Sequence, residues 1–288
     1  MTGNKNRVLA FLLSPVFLLL LIFFILPVGY LILYSFQRYD PATLVEPIFT
    51  MENYKEFFSD PYILSALFRT LRIAAITTLV TLIIGYPLSY YMRLAGGREK
   101  TIFSIVVLTP LMTSHIILGF AWMALLAPQT GLASVSLQAL GLISEPLRLM
   151  GTEVGVVIGL VHYTLVYMVL NLHSSLETID LMQIKAASML GANPFQTFLR
   201  VTLPLSLPGI LSGVSLAFAV SASQFMIPLL IAGRQAPMLP VLVFDLNATV
   251  LNWPMGASTA LILLFISLIP IFILSTVVNT QLTKRHLS

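Results

Sequence analysis

Residues 185–204 read KAASMLGANPFQTFLRVTLP, a polar segment with Lys185 at one end and Arg200 near the other, lodged between two long apolar runs. Its residue order prescribes a shape. Upstream, Thr178 or Asp180 can cap a helix start, and the residues that follow favour helix as far as Leu190. Gly191 stands where helices commonly end in a left-handed residue. Asn193 can cap a new helix, and Pro194 suits its first position. The spacing therefore predicts a short helix, a sharp turn and a second helix within 176–203, with Pro204 and Pro208 marking the bend at which the chain returns to apolar surroundings. Ala186, Ala187 and Gly191 leave one side of the first helix nearly bare, which suits docking into a groove on another protein. An ordinary surface hairpin would use the same alanines simply because they favour helix.

The surroundings of that segment place it. Of 288 residues, 58% are hydrophobic and only 9% charged, against about 25% charged in a soluble domain. Uncharged windows at 8–37, 73–92, 101–144, 154–176, 201–233 and 246–283 each reach the ~20 residues that cross a bilayer as a helix. This predicts an all-α integral membrane protein with six transmembrane helices, over about 8–36, 64–92, 101–127, 152–175, 205–232 and 255–279. Pro128, Gln129, Thr130 and Gly131 punctuate the longest window, and its remainder reads as an interfacial or re-entrant helix outside the six. Before the second span, MENYKEFF at 51–58 has the pattern of a small amphipathic surface helix. In domain terms, 1–63 is a first helix with an outer loop, 64–279 the five-helix core, and 280–288 a tail.

Charge placement orients the chain. With the N-terminus inside, nine of the fifteen basic residues (Lys5, Arg7, Arg93, Arg98, Lys100, Lys185, Arg200, Lys284, Arg285) are cytoplasmic, as the positive-inside bias requires. Both termini and the hairpin then lie in the cytoplasm. The net charge of +4 reads as this topology signal, and nucleic acid is not an expected partner. Lys5 and Arg7 ahead of an apolar run resemble a signal peptide, but the run is far longer than an h-region, so it is expected to stay as the first helix.

The sequence offers no site for catalysis. It contains no Gly-Lys pair, which a phosphate-cradling P-loop requires. His115, His162, His173 and His286 lack metal-ligand spacing, and there is no cysteine. The chain is expected to bind no cofactor or metal and to be no enzyme, so an energy source must come from a partner.

Polar groups inside spans mark candidates for a translocation path. His162, Tyr163, Tyr167 and Asn171 fall mostly at three- and four-residue steps in the fourth span, a stripe that must face protein or a cavity. Ser221, Ser223 and Gln224 form a second patch beside Phe225 and Met226, whose bulk could close a pore by dewetting; helix packing through serine is the alternative. Arg69 and Arg72 share one face of the second span, as a positive rim at an outer mouth or as side chains paired with acids and headgroups. Asp245 is either a contact for a cationic solute or basic surface, or a solvated loop acid.

The hairpin also resembles the cytoplasmic signature of permease subunits of ATP-binding-cassette importers. That signature is Glu-Ala-Ala, three residues, Gly, nine more, then an Ile-x-Leu-Pro-like ending. Ala186, Ala187, Gly191, Val201, Leu203 and Pro204 occupy its positions, while Lys185 stands where the family usually has glutamate. GYPLSYYM (85–92), LTPLM (108–112) and NWPMGAST (252–259) are similar to the spermidine/putrescine branch, so the likeness covers nearly the whole chain. It implies a type I importer fold, a coupling helix seated on a cytoplasmic ATPase dimer that binds ATP and Mg, a second permease subunit, an extracytoplasmic solute-binding protein, and a multi-pass place in the bacterial inner membrane. The solute implied is a polyamine or related organic cation. Alternatives are ferric iron, thiamine, an opine or a phosphonate, or else a secondary transporter or channel, although no internal repeat supports inverted halves.

Overall fold

The structure, a computed structural model, describes residues 14–16 and 18–286. The described chain divides into two compact units: the part up to Leu64 with Leu242–Leu263, and Ser65–Val241 with the remainder from Leu264.

In the first unit, helix α1 (Ser14–Ser35) contains a π-helical turn at Leu21–Ile25 and leads into a two-stranded antiparallel ribbon, β1 (Gln37–Arg38) and β2 (Glu46–Phe49). The sequence reading of the outer loop contained no strands. A side-chain turn makes the ribbon possible, because Asp40 Oδ1 accepts from the backbone N–H groups of Ala42 and Thr43 at 2.7 and 2.9 Å. Those two donors hold the carboxyl below its ordinary range. Helix α2 (Glu52–Ser59) is the amphipathic element expected at 51–58. Its Asn53 donates to the carbonyls of Ser35 and Gln37, each at 2.8 Å, and Phe57 is fully buried.

Helix α3 (Pro61–Leu94) runs 34 residues, through Pro87, beyond both ends of the predicted 64–92. Its first residues lie in the first unit and the rest in the second. The predicted third span is not one straight helix: α4 (Gly97–Met112) and α5 (His115–Leu126) meet at 104°. Thr113 and Ser114 are extended there. A hydropathy window cannot report such a break, because apolar residues continue on both sides of it. Helix α6 (Leu132–Ala139) is the short element expected after the Pro-Gln-Thr-Gly punctuation. Helix α7 (Glu153–Glu177) begins at Thr152, whose side chain accepts from Gly155 N.

Helices α8 (Leu181–Met189) and α9 (Pro194–Leu205) form the hairpin. The bend expected near Pro204 and Pro208 lies between α9 and α10 (Leu207–Ser223) and measures 64°. The predicted fifth span, 205–232, is corrected here. Helix α10 stops at Ser223, Gln224 is extended, and a separate six-residue helix α11 (Met226–Ile231) follows. Helices α12 (Leu239–Ala248) and α13 (Trp253–His286) complete the described chain. Among the described residues four helices are long and apolar enough to span a membrane, or six when each bent pair counts as one span.

Glycine spacing explains the tightest seams of the second unit. In lipid, helices associate through close packing, for which small residues four apart are suited. A Cβ at Gly209 would come within 2.3 Å of Ser175 Cβ, and one at Gly213 within 2.7 Å of Met168 Sδ, so this pair sets α10 directly against α7. Gly159 does the same for α11, since a Cβ there would lie 2.8 Å from Ile231 and 2.9 Å from Ile227. Around that seam Ile73, Leu160, Ile227, Ile231 and Met238 are almost wholly buried in one cluster.

Candidate functional site

The hairpin is built from local rules. Asp180 caps α8 by accepting from Met182 N. At the other end Gly191 N donates to Ser188 O and Ala192 N to Ala187 O, both at 3.1 Å, the paired bonds of a Schellman turn. Gly191 has φ +84°, a left-handed conformation that strains any residue with a Cβ. Asn193 then starts α9 with a reciprocal box: its Oδ1 accepts from Gln196 N at 2.8 Å, and Gln196 Oε1 accepts from Asn193 N at 3.1 Å. Pro194 sits in the first turn, where a missing N–H costs nothing.

One side of the hairpin faces inward. Ile184, Phe198 and Leu203 pack against the cluster of Tyr86, Met168, Leu172 and Leu176. The other side is open and apolar: Met189 is 88% exposed and Leu190 89%, with Met182 and Phe195 also exposed. No residue of α8 is buried. Ala187, Gly191, Thr197, Arg200 and Val201 contribute to a groove of about 290 Å3, so two of the three small residues singled out in the sequence line it and Ala186 does not. Lys185 is exposed and makes no ion pair among the described residues. Pro204 is half-buried at the bend.

Both arms of the hairpin are tied to the same end of α3. Arg93 Nη2 donates to Ile179 O at 2.7 Å, just ahead of α8. Tyr86 OH and Ser206 Oγ are 2.8 Å apart at the foot of α9, and the rings of Tyr86 and Tyr90 meet Phe198 edge-on at 5.5 and 6.1 Å. Beside them Glu177 Oε1 pairs with Lys100 at 2.5 Å and His173 at 3.2 Å. Sequence reading missed these ties. The side chains are scattered over 120 positions, and only their polarity at span ends hinted at them.

The predicted intramembrane stripe divides into two contacts. Tyr163, 5% exposed, has its hydroxyl 3.1 Å from that of Tyr167 and 2.5 Å from His115 Nε2. His162, one residue earlier, is exposed and instead accepts at Nδ1 from Trp122 Nε1 at 3.2 Å. One residue of helix turns a side chain by about 100°, so His162 cannot share the face of Tyr163. Asn171 donates back to Tyr167 O at 2.8 Å. His115 and Trp122 thus join residues that the sequence singled out, and they do so because the break at 113–114 sets α5 beside α7.

The fifth-span patch also divides. Ser221 is fully buried, with no hydrogen-bond partner for its Oγ among the described residues, while Gln224 and Phe225 are half-buried in the break between α10 and α11. At the end of α3 away from the hairpin, Arg69 and Arg72 both pair with Glu153 Oε1. Arg69 also donates to Pro237 O at 3.2 Å, and Thr70 Oγ1 accepts from Leu239 N at 2.7 Å. The arginine rim is therefore partly neutralised by the first residue of α7. Asp245 belongs to the other compact unit, where Thr249 Oγ1 donates to it at 3.4 Å.

The second unit is thus a glycine-packed helical bundle with broken spans and an exposed hairpin. Two solved structures share the fold. A bacterial transporter that imports the acidic polysaccharide alginate superposes with a TM-score of 0.79 at 15% identity, over 96% of each chain. The same kind of transporter in complex with its alginate pentasaccharide-bound periplasmic protein gives 0.75 at 14%, over 94% of this chain and 93% of that one. The chain belongs to the family of binding-protein-dependent transport system inner membrane components, whose model matches residues 85–286. It is similar to the spermidine/putrescine transport system permease protein PotB of Escherichia coli (strain K12), 32% identical over 85% of this chain and 88% of that one. Its likeness to PotB of Haemophilus influenzae is 31%, over 88% of each chain. The molybdenum transport system permease protein ModB of Azotobacter vinelandii is 32% identical over 59% of this chain and 74% of its own length.

Proposed function

We propose that this inner-membrane permease subunit forms half of the path by which an ATP-driven importer carries a polyamine, such as spermidine or putrescine, into the cell. The observation that carries this reading is the pairing of an exposed apolar hairpin with likeness to PotB over 85% of the chain. The hairpin, through Lys185, Ala186, Ala187, Gly191, Asn193, Pro194, Leu203 and Pro204, is the seat of a cytoplasmic ATPase dimer, which binds the ATP and Mg. Its exposed methionine, leucine and phenylalanine side chains suit burial in a cleft of that partner.

A second permease subunit, a different chain, completes the path, and an extracytoplasmic solute-binding protein delivers the cargo. Both termini and the hairpin face the cytoplasm. In lipid an exposed imidazole on a spanning helix needs protein or water beside it, which supports placing His115 and His162 toward the path or the second subunit. Tyr163, Tyr167, Asn171, Ser221, Gln224 and Phe225 follow along it. Arg69, Arg72 and Asp245 belong to the outer mouth.

The likeness to ModB favours a second reading, the same machine carrying another small solute. Uptake of labelled spermidine into cells expressing the complete importer tests both. Saturable uptake that disappears when the ATPase is inactivated is expected. Uptake persisting without ATPase activity removes the importer reading, and ATPase-dependent import of a different solute selects the second.

A further inference from the structure

The ties around the hairpin converge on one helix. At the hairpin end of α3, Arg93 holds the segment entering α8 through Ile179 O, and Tyr86 holds the foot of α9 through Ser206. A movement that tilts the hairpin therefore pulls on α3 from both arms. Within the second unit α3 continues to Ser65, and near that end it is fastened again. Arg69 and Arg72 grip Glu153 at the start of α7, Arg69 also holds Pro237 O, and Thr70 receives the N–H of Leu239. At 1.5 Å per residue the 34 residues of α3 measure about 50 Å, longer than the ~30 Å hydrocarbon layer. One continuous helix thus joins the hairpin to the knot at the far end of α7.

Arg93 is the side chain through which α3 meets the segment entering α8: its Nη2 donates to Ile179 O at 2.7 Å. Physical coupling between distant sites travels through such hydrogen bonds and rigid secondary elements.

We infer that α3 is the rod that carries hairpin movement to the opposite end of the permease, with Arg93 as the positioning residue at its joint. This inference rests on the reading of the hairpin as the ATPase seat. It goes beyond that reading by naming the helix and the side chain through which the seat is felt elsewhere.

The test uses the complete importer in liposomes. This chain has no cysteine, so Phe68→Cys places one thiol on it at an exposed position of α3, one turn before Arg72. The rate at which a membrane-impermeant maleimide modifies that thiol is measured with and without ATP, in a complex whose ATPase cannot hydrolyse it. In the Arg93 parent, ATP is expected to change the rate by about threefold or more, a coupling in the range that such networks support. Arg93→Gln should abolish most of that response and Arg93→Lys restore part of it, with the amount of assembled complex unchanged. Should Arg93→Gln fail to assemble, Tyr86→Phe, which removes only the Ser206 contact, should weaken the response in the same way. A response that survives these variants at parental size overturns the proposal, and so does a parent whose thiol ignores ATP. Spermidine uptake is read separately, in vesicles that hold the same complex with a hydrolysis-competent ATPase. Its absence beside an intact response would remove the polyamine reading and leave the rod.

Discussion

The hairpin at 181–205 and the seam of α7 with α11 are held by opposite means. In the hairpin, caps and turns do the work: Asp180, Gly191, Asn193 and Gln196 each satisfy backbone groups within a few residues, and α8 has no buried side chain. In the seam, Gly159 admits Ile227 and Ile231 to the face of α7, and the short helix α11 lies buried among residues far away in sequence. A locally specified element can leave its apolar side chains free for a partner. An element specified by packing cannot, because those side chains are already used.

The largest expected effect falls on the seam. Gly159→Leu forces side-chain atoms where a Cβ alone would lie 2.8 Å from Ile231, and overpacking of this kind costs about 3 kcal/mol. Thermal unfolding of the purified protein in detergent should drop sharply or the protein fail to accumulate; a parental midpoint would mean that the seam is loose and the contrast wrong. Gly191→Val comes next. Its neighbourhood is open but φ is +84°, so the strain is about 1–2 kcal/mol and confined to the turn. The permease should still fold, while co-purification with its ATPase falls markedly; full association with normal uptake would show that the turn is not read.

Tyr163→Phe removes the hydroxyl shared by His115 and Tyr167, worth about 1 kcal/mol. Uptake should fall more than stability does. Equal losses in both would make the contact a packing element and sharpen the boundary of the path. Lys185→Glu should be the mildest. An exposed residue with no ion pair among the described residues shifts stability by under about 0.5 kcal/mol, so any loss of ATP-driven uptake measures how far the partner has adapted to lysine.

The sequence alone revealed the apolar spans and the hairpin, since these rest on hydropathy and capping signals that act over a few residues. The Gly-x-x-x-Gly pairs at 155–159 and 209–213 were legible too, and would have pointed to the seams. Other features lay outside reach. Nothing local distinguishes Thr113 and Ser114 as the site of a 104° bend, because apolar residues continue on both sides. His162 and Tyr163 look equivalent in a stripe until α5 arrives and supplies Trp122 to one and His115 to the other.

By itself, then, the sequence determined that this chain is a membrane permease with a capped helical hairpin. Residues 185–204 carry that shape in short-range hydrogen bonds at Gly191, Asn193 and Gln196. Only the tertiary structure decided where the spans break and which end of α3 grips both arms of the hairpin. It also decided that Arg69 and Arg72 share one glutamate at the other end. These depend on contacts between residues some 80 to 170 positions apart, and packing in lipid selects them through shape, which no single segment encodes.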